Sequence, residues 1–161
     1  MAKFWKCGAE AKRIVVAAGL SQNASDADQL VVMVKAAKAN TKKKPKHVLA
    51  DAGYKSEENF EALEKMDIDT HVALGKGEKG ARDTATGPAT QRMHRKRQTK
   101  RGRKLYKKRK VIVEAPFGWI KAVMGFRSFS MRGVEKASGE WNLVCLALNL
   151  RRMSNRMEWA G

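Results

Sequence analysis

Acid is what this chain is short of. Sixteen Asp and Glu stand against 34 Lys and Arg, for a formal net charge of +18 over 161 residues. Such an imbalance points to a polyanionic partner, most simply nucleic acid. Cysteine is nearly missing too: Cys7 and Cys145 lie far apart and fit no metal or redox motif. Both read as reduced thiols of a cytoplasmic protein, with Cys145 in the core. The three histidines, His47, His71 and His94, have no Cys partner and no ligand spacing, which argues against zinc. No apolar run is long enough to span a bilayer, and no signal-peptide core follows the N-terminus. A basic chain can also bind anionic lipid, but these bases are not laid out on an amphipathic helix. Internal repeats are absent, as is low complexity outside one basic run. What is present is a hydrophobic fraction of 43%, too high for wholesale disorder and enough for the core of one domain.

Taken in order, residues 1–10 show no clear pattern, and the apolar run at residues 14–18, closed by Gly19, predicts a buried strand. Ser25 and Asp26 are N-cap candidates for a helix that turns Leu30, Val31, Val34 and Ala37 inward. TKKKPK makes a basic turn ending near Pro45. The run at residues 47–53 predicts a second strand, with Asp51 at its C-terminal end. Ser56, Glu58 and Asn59 then open a helix whose stripe is Phe60, Leu63 and Met66. A third strand follows at residues 70–74. This alternation predicts an α/β sheet with crossover helices. Residues 76–105 change character: glycines and Pro88 precede QRMHRKRQTKRGRK, which cannot build its own core. We expect a mobile or partly helical insertion packed on DNA rather than on protein. After a Gly-, Ser- and Arg-containing loop at residues 126–132, Val134 starts a long helix ending near Met157. It is apolar almost all round between Trp141 and Leu150, so its middle is expected to be buried.

Two acids stand out. Glu114 lies in YKKRKVIVEAPFGWIKAVM as one carboxylate among Lys and Arg, with Lys121 two helical turns on. Pro116 should kink this helix or set its first turn, leaving Glu114 near an electropositive helix start. On spacing alone the pair fits a surface ion pair as well as a metal site beside phosphates. Asp51 closes a buried strand, where open α/β sheets place ligands, although a capping or loop Asp fits too. Two carboxylates on separate elements are the minimum for holding Mg²⁺ against a phosphodiester. Phe117, Trp119 and Trp141 read as core residues rather than base-stacking platforms.

The set Tyr106, Arg109, Glu114 and Lys121 resembles the C-terminal signature of the DDE transposases of bacterial insertion sequences. The Tyr-to-Arg and Glu-to-Lys spacings fit. The interval from Arg109 to Glu114 is one residue longer than usual, so either Arg109 or Lys110 takes the Arg role. The segment GFRSFSMRGVEKASGEWNLVCLALNLRRM is similar to the tail of those enzymes, and LADAGYKSEENF resembles the context of their second catalytic Asp. The likeness runs from about residue 14 to residue 153. It implies a ribonuclease H-like α/β fold, N-terminally incomplete, with a basic insertion before the last catalytic helix, so that residues 1–161 form a single partial catalytic domain. It further implies that Asp51 and Glu114 are catalytic and bind Mg²⁺ or Mn²⁺. Tyr106, Arg109 and Lys121 would contact DNA, with Arg97 and Arg101 in the basic run adding salt-sensitive affinity. The implied chemistry is strand cleavage and strand transfer at element ends. The partners are those ends, target DNA, and other copies of the chain in a synaptic complex. The position expected for a first Asp holds Ala9, next to Glu10, while Asp26 and Asp28 fall where the family commonly has a non-catalytic Asp. The alternatives are a non-catalytic DNA-binding remnant that inhibits a transposase, and a general basic RNA-binding protein.

Overall fold

Two short runs of β-formers lie side by side and give the fold its centre. β3 (His47–Ala50) and β4 (Asp69–Val72) pair in parallel, His47 opposite Asp69 and Ala50 opposite Val72. Parallel neighbours need a crossover, and α2 (Glu57–Lys65) supplies it. Ser56 caps this helix by accepting a hydrogen bond from the Asn59 amide, and Phe60 and Leu63 are fully buried beneath it. The computed structural model describes residues 2–5, 14–22, 25–73 and 87–157. Cys7, Ala9 and Glu10 fall outside the described residues, as does most of the glycine-rich stretch before α3.

The remaining strands differ from expectation. β1 (Ala2–Trp5), for which the sequence shows no signal, pairs antiparallel with β2 (Ala17–Leu20). Among the described residues the strands therefore form two two-stranded sheets, not one continuous parallel sheet. β2 also begins three residues later than the apolar run. The backbone of Val15 is already engaged: its N–H donates to Asn149 Oδ1 at 2.8 Å, and its carbonyl accepts from Asn149 Nδ2 at 2.7 Å. Asn40 takes the Val16 carbonyl at 2.8 Å. Side chains from two helices thus replace a ladder partner. α1 (Gln29–Thr41) buries Leu30, Met33, Val34 and Ala37, while Val31 is half-buried. Its N-cap is Asp28 rather than Ser25 or Asp26, and among the described residues Asp28 makes no side-chain capping bond.

The basic segment is where structure departs furthest from composition. Its described part forms two helices, α3 (Pro88–Gln98) and the first turns of α4 (Lys100–Ala122). Ala89, Thr90 and Met93 are buried, and Ala89 and Met93 join the core of α1, α2, β3 and β4. α3 therefore packs on protein through one apolar face, with Arg92 and Arg95 exposed and Lys96 and Arg97 half-buried against neighbouring elements. Glu57 fixes its start, accepting from Ala89 N at 2.6 Å, Thr90 N at 2.9 Å and Thr90 Oγ1 at 2.5 Å. Partial burial works against this carboxylate's charge, but the Thr90 and Ala89 hydrogen bonds prevail and its pKa falls below 4.5. Glu57→Ala should cost about 1 kcal/mol, the scale of a lost helix cap on a group still in contact with solvent. Urea midpoints at neutral pH check this. A depressed pKa gives stability that is present above pH 4.5 and lost as pH falls through the folded value, so the gap between variant and parent should close in acid.

α4 runs unbroken through Pro116, which is buried. Pro116 does not set a first turn, so Glu114 lies deep within the helix and the helix-start argument for its charge does not hold. α5 (Val134–Met157) has the expected bounds but one buried face only. Trp141, Val144, Cys145 and Leu148 pack with Ile120 of α4, whereas Leu143, Leu146 and Leu150 are exposed. The expectation of an all-round buried middle fails because one neighbouring layer covers one stripe. Burial pushes the Cys145 thiol up to about 12, leaving it protonated and inert.

Candidate functional site

The parallel pair β3–β4 has chemistry at both ends. At the C-terminal end, Asp51 follows the last residue of β3 and caps a single 3₁₀ turn, Ala52–Tyr54. Its Oδ1 accepts from Gly53 N at 3.2 Å, and the side chain is otherwise exposed. α4 packs across β3 and β4 here, bringing Arg109 Nη1 to 3.9 Å from Asp51 Oδ2. Tyr106, one turn earlier on α4, lies under two guanidiniums, with Arg97 at 4.0 Å and Arg109 at 5.5 Å from the ring centroid. Sequence residues Asp51, Arg97, Tyr106 and Arg109 thus share one place. Of the two candidates for the Arg role, Arg109 approaches Asp51, and the side chain of Lys110 is outside the described residues.

A further acid joins them. Asp26 Oδ2 and Asp51 Oδ1 lie 3.3 and 3.4 Å from where a side chain on Gly53 would begin, so the two carboxylates flank the same glycine and a larger residue there would crowd them. The loop carrying Asp26 is tied down by the buried Asn59, whose Nδ2 donates to Ala27 O at 2.7 Å and Tyr54 O at 3.2 Å. A Ser-x-x-Asn start to α2 therefore serves both helix and site.

Glu114 lies on the same helix as Arg109, and its side chain is outside the described residues. Lys121 is exposed in the last turn of α4, about 18 Å along the axis from Arg109 by helical rise. Arg101 is exposed near the start of α4, beside the opposite end of the strands. These two are not gathered with Asp51.

At the N-terminal end, His47 and Asp69 face each other across the ladder, and His71 follows Asp69 by one pleat period on the same face. Asp69 Oδ2 is 2.8 Å from His47 Nδ1 and 3.2 Å from His71 Nε2, and Lys96 of α3 holds Oδ1. Burial opposes the charge on Asp69, but the Lys96 and His71 hydrogen bonds outweigh it and hold its pKa at about 2. Burial lowers the pKa of His71 despite Asp69. Its Nδ1 has no hydrogen-bond partner among the described residues. The three groups present ligand atoms within 4.8 Å of one another, at the edge of a pocket of about 320 Å³ that also meets Thr99, Arg101 and Gly102. Spacing along the chain gave no hint of this cluster, because the parallel register assembles it. The one local feature is an acid two residues before a histidine, with Asp69 just ahead of the predicted third strand and His71 within it.

Among the described residues no helix is long and apolar enough to cross a membrane. Comparison with curated proteins and with solved structures gives no match. The family model for the transposase DDE domain matches residues 8–150, a span that takes in Asp51, Tyr106, Arg109, Glu114 and Lys121. With most of the chain inside that match, the protein belongs to the transposase DDE domain family, and its function lies in transposition.

Proposed function

We propose that the chain forms a ribonuclease H-like domain that cleaves DNA strands at element ends and transfers them to a target, with Asp51 and Glu114 as its metal-binding acids. The observation that carries this reading is the approach of Arg109 to Asp51 across the C-terminal end of β3, which sets a signature residue of α4 against an acid on a separate element. The described donors suit a hard divalent ion: Asp51 is exposed, accepts only one close backbone bond, and has Asp26 beside it. When bound, Mg²⁺ or Mn²⁺ supplies Lewis-acid stabilisation of the attacking and leaving oxygens.

The chain's own groups have separable tasks. Arg109 and Arg97, stacked on Tyr106, hold fixed positive charge where a scissile phosphate would lie, and such charge offsets what builds in the transition state. Lys121, exposed in the last turn of α4, positions the DNA backbone. The solvent-facing bases of α3 and early α4 add affinity independent of sequence and steeply dependent on salt.

Nicking of supercoiled DNA in Mg²⁺ or Mn²⁺, compared with the Glu114→Gln variant, tests the proposal. We expect metal-dependent nicking that the substitution reduces at least about a hundredfold, the scale seen when one transition-state contact is removed. Salt-sensitive DNA binding without nicking would instead assign the chain to non-catalytic DNA binding, the reading that Ala9 at the first acid position favours. Tight RNA binding unaffected by the substitution would overturn both.

A further inference from the structure

The geometry points to a second metal site, for a divalent transition ion of the zinc class, formed by His47, Asp69 and His71 at the end of β3–β4 opposite Asp51. Its donors already stand near ligating positions. In a tetrahedral zinc site with bonds of 2.0–2.1 Å, ligand atoms are separated by about 3.3 Å. Asp69 Oδ2 lies 2.8 Å from His47 Nδ1 and 3.2 Å from His71 Nε2. Small outward shifts of the three side chains would therefore open the space an ion needs, without moving the backbone.

Lys96 occupies only Oδ1 of Asp69, leaving Oδ2 for the ion and supplying the outer hydrogen bond that orients ligating carboxylates. His71 is almost wholly buried, and its ring is held only through Nε2, 3.2 Å from Asp69 Oδ2, among the described residues, so an ion at Nε2 would replace that one contact. Two nitrogens and one oxygen select a borderline ion over Mg²⁺, which takes oxygen. Three protein ligands leave a fourth position, and the pocket that runs to Thr99 and Arg101 leaves room for a water in it. The bound ion would tie the first residues of both strands together and, through Lys96, hold α3 against them.

The test titrates Zn²⁺ alone into the full chain by calorimetry, with Co²⁺ as a spectroscopic substitute. We expect one Zn²⁺ per chain, a visible Co²⁺ spectrum of tetrahedral intensity, and a rise in melting temperature with Zn²⁺. His47→Ala, at a half-exposed position, should preserve the fold by circular dichroism yet weaken Zn²⁺ binding at least about tenfold. Asp51→Asn should leave Zn²⁺ binding unchanged, and Mg²⁺ in excess should not displace the ion, which separates this site from the acids at the other end. Absence of stoichiometric Zn²⁺ binding overturns the inference, as does binding that His47→Ala leaves intact. An octahedral Co²⁺ spectrum with affinity lost in Asp51→Asn would overturn it equally, by placing the ion at the opposite end.

Discussion

Asp51→Asn is expected to remove metal-dependent nicking while leaving the fold and DNA binding in place. The substitution is nearly isosteric, and its Oδ1 can still accept from Gly53 N, so the turn Ala52–Tyr54 should persist. What changes is charge. An amide is a far weaker ligand for a hard cation than a carboxylate, and its NH₂ would sit where Asp51 Oδ2 now stands 3.9 Å from Arg109. Donor would then face donor, and Arg109 would lose the group that draws it across the end of β3. Loss of a metal-binding acid and of guanidinium placement together should slow cleavage at least about a thousandfold, or roughly 4 kcal/mol of transition-state stabilisation. DNA affinity should hold steady or rise slightly, because one negative charge has left a basic surface. Nicking rates in Mg²⁺ and Mn²⁺, set against binding isotherms over a salt series, check both halves. A variant that nicks at the parental rate would remove Asp51 from the chemistry.

Much of this site could be read from residue order, because its parts are local. Asp51 after a short apolar run, Ser56 and Asn59 opening a helix, and Tyr106 one turn before Arg109 are each set by spacing within an element. The structure adds their meeting point, since α4 lies across the ends of β3 and β4. Residue order makes Asp26 only an N-cap candidate. Its place beside Asp51 depends on Asn59 holding the Ala27 carbonyl, a long-range bond that no periodicity reveals. The basic segment packs on protein, against expectation, for a related reason. Composition averages over α3, whereas packing needs only Ala89, Thr90 and Met93 on one face and Glu57 from another helix at its start. β2 began late because Asn149 and Asn40, distant in sequence, hold the backbone before it. Helix bounds fared better: α5 runs over the predicted range because its pattern is long. Its exposed side, however, depends on how many neighbours cover it.

That one-sided burial makes α5 the place for the largest stability effect. Trp141 is 2% exposed and stands at the joint of α4, α5 and the connecting loop. Phe126 lies 5.9 Å from it and Phe129 6.3 Å, nearly edge-on, with the two phenyl rings 5.4 Å apart. Glu140, next to Trp141 in sequence, keeps the loop there by accepting from Ser130 N at 3.0 Å, Ser130 Oγ at 2.7 Å and Met131 N at 3.2 Å. Trp141→Ala would leave a ring-sized cavity that these neighbours cannot fill without breaking those bonds. The expected cost is about 3–5 kcal/mol, a large part of the roughly 5–15 kcal/mol typical of a folded domain. Leu146→Ala, on the uncovered side of the same helix, should stay within about 0.5 kcal/mol. Urea unfolding of both variants measures the contrast, and near-equal costs would mean that the buried face of α5 has been misassigned. The effect should also reach function. α4 carries Arg109 toward Asp51 with one half and Ile120 against Trp141 with the other, so loosening the α5 joint frees the half that bears Lys121. DNA affinity of Trp141→Ala, measured below its melting temperature, should therefore fall, whereas that of Asp51→Asn holds steady or rises slightly, although Trp141 is buried in the core beneath that helix.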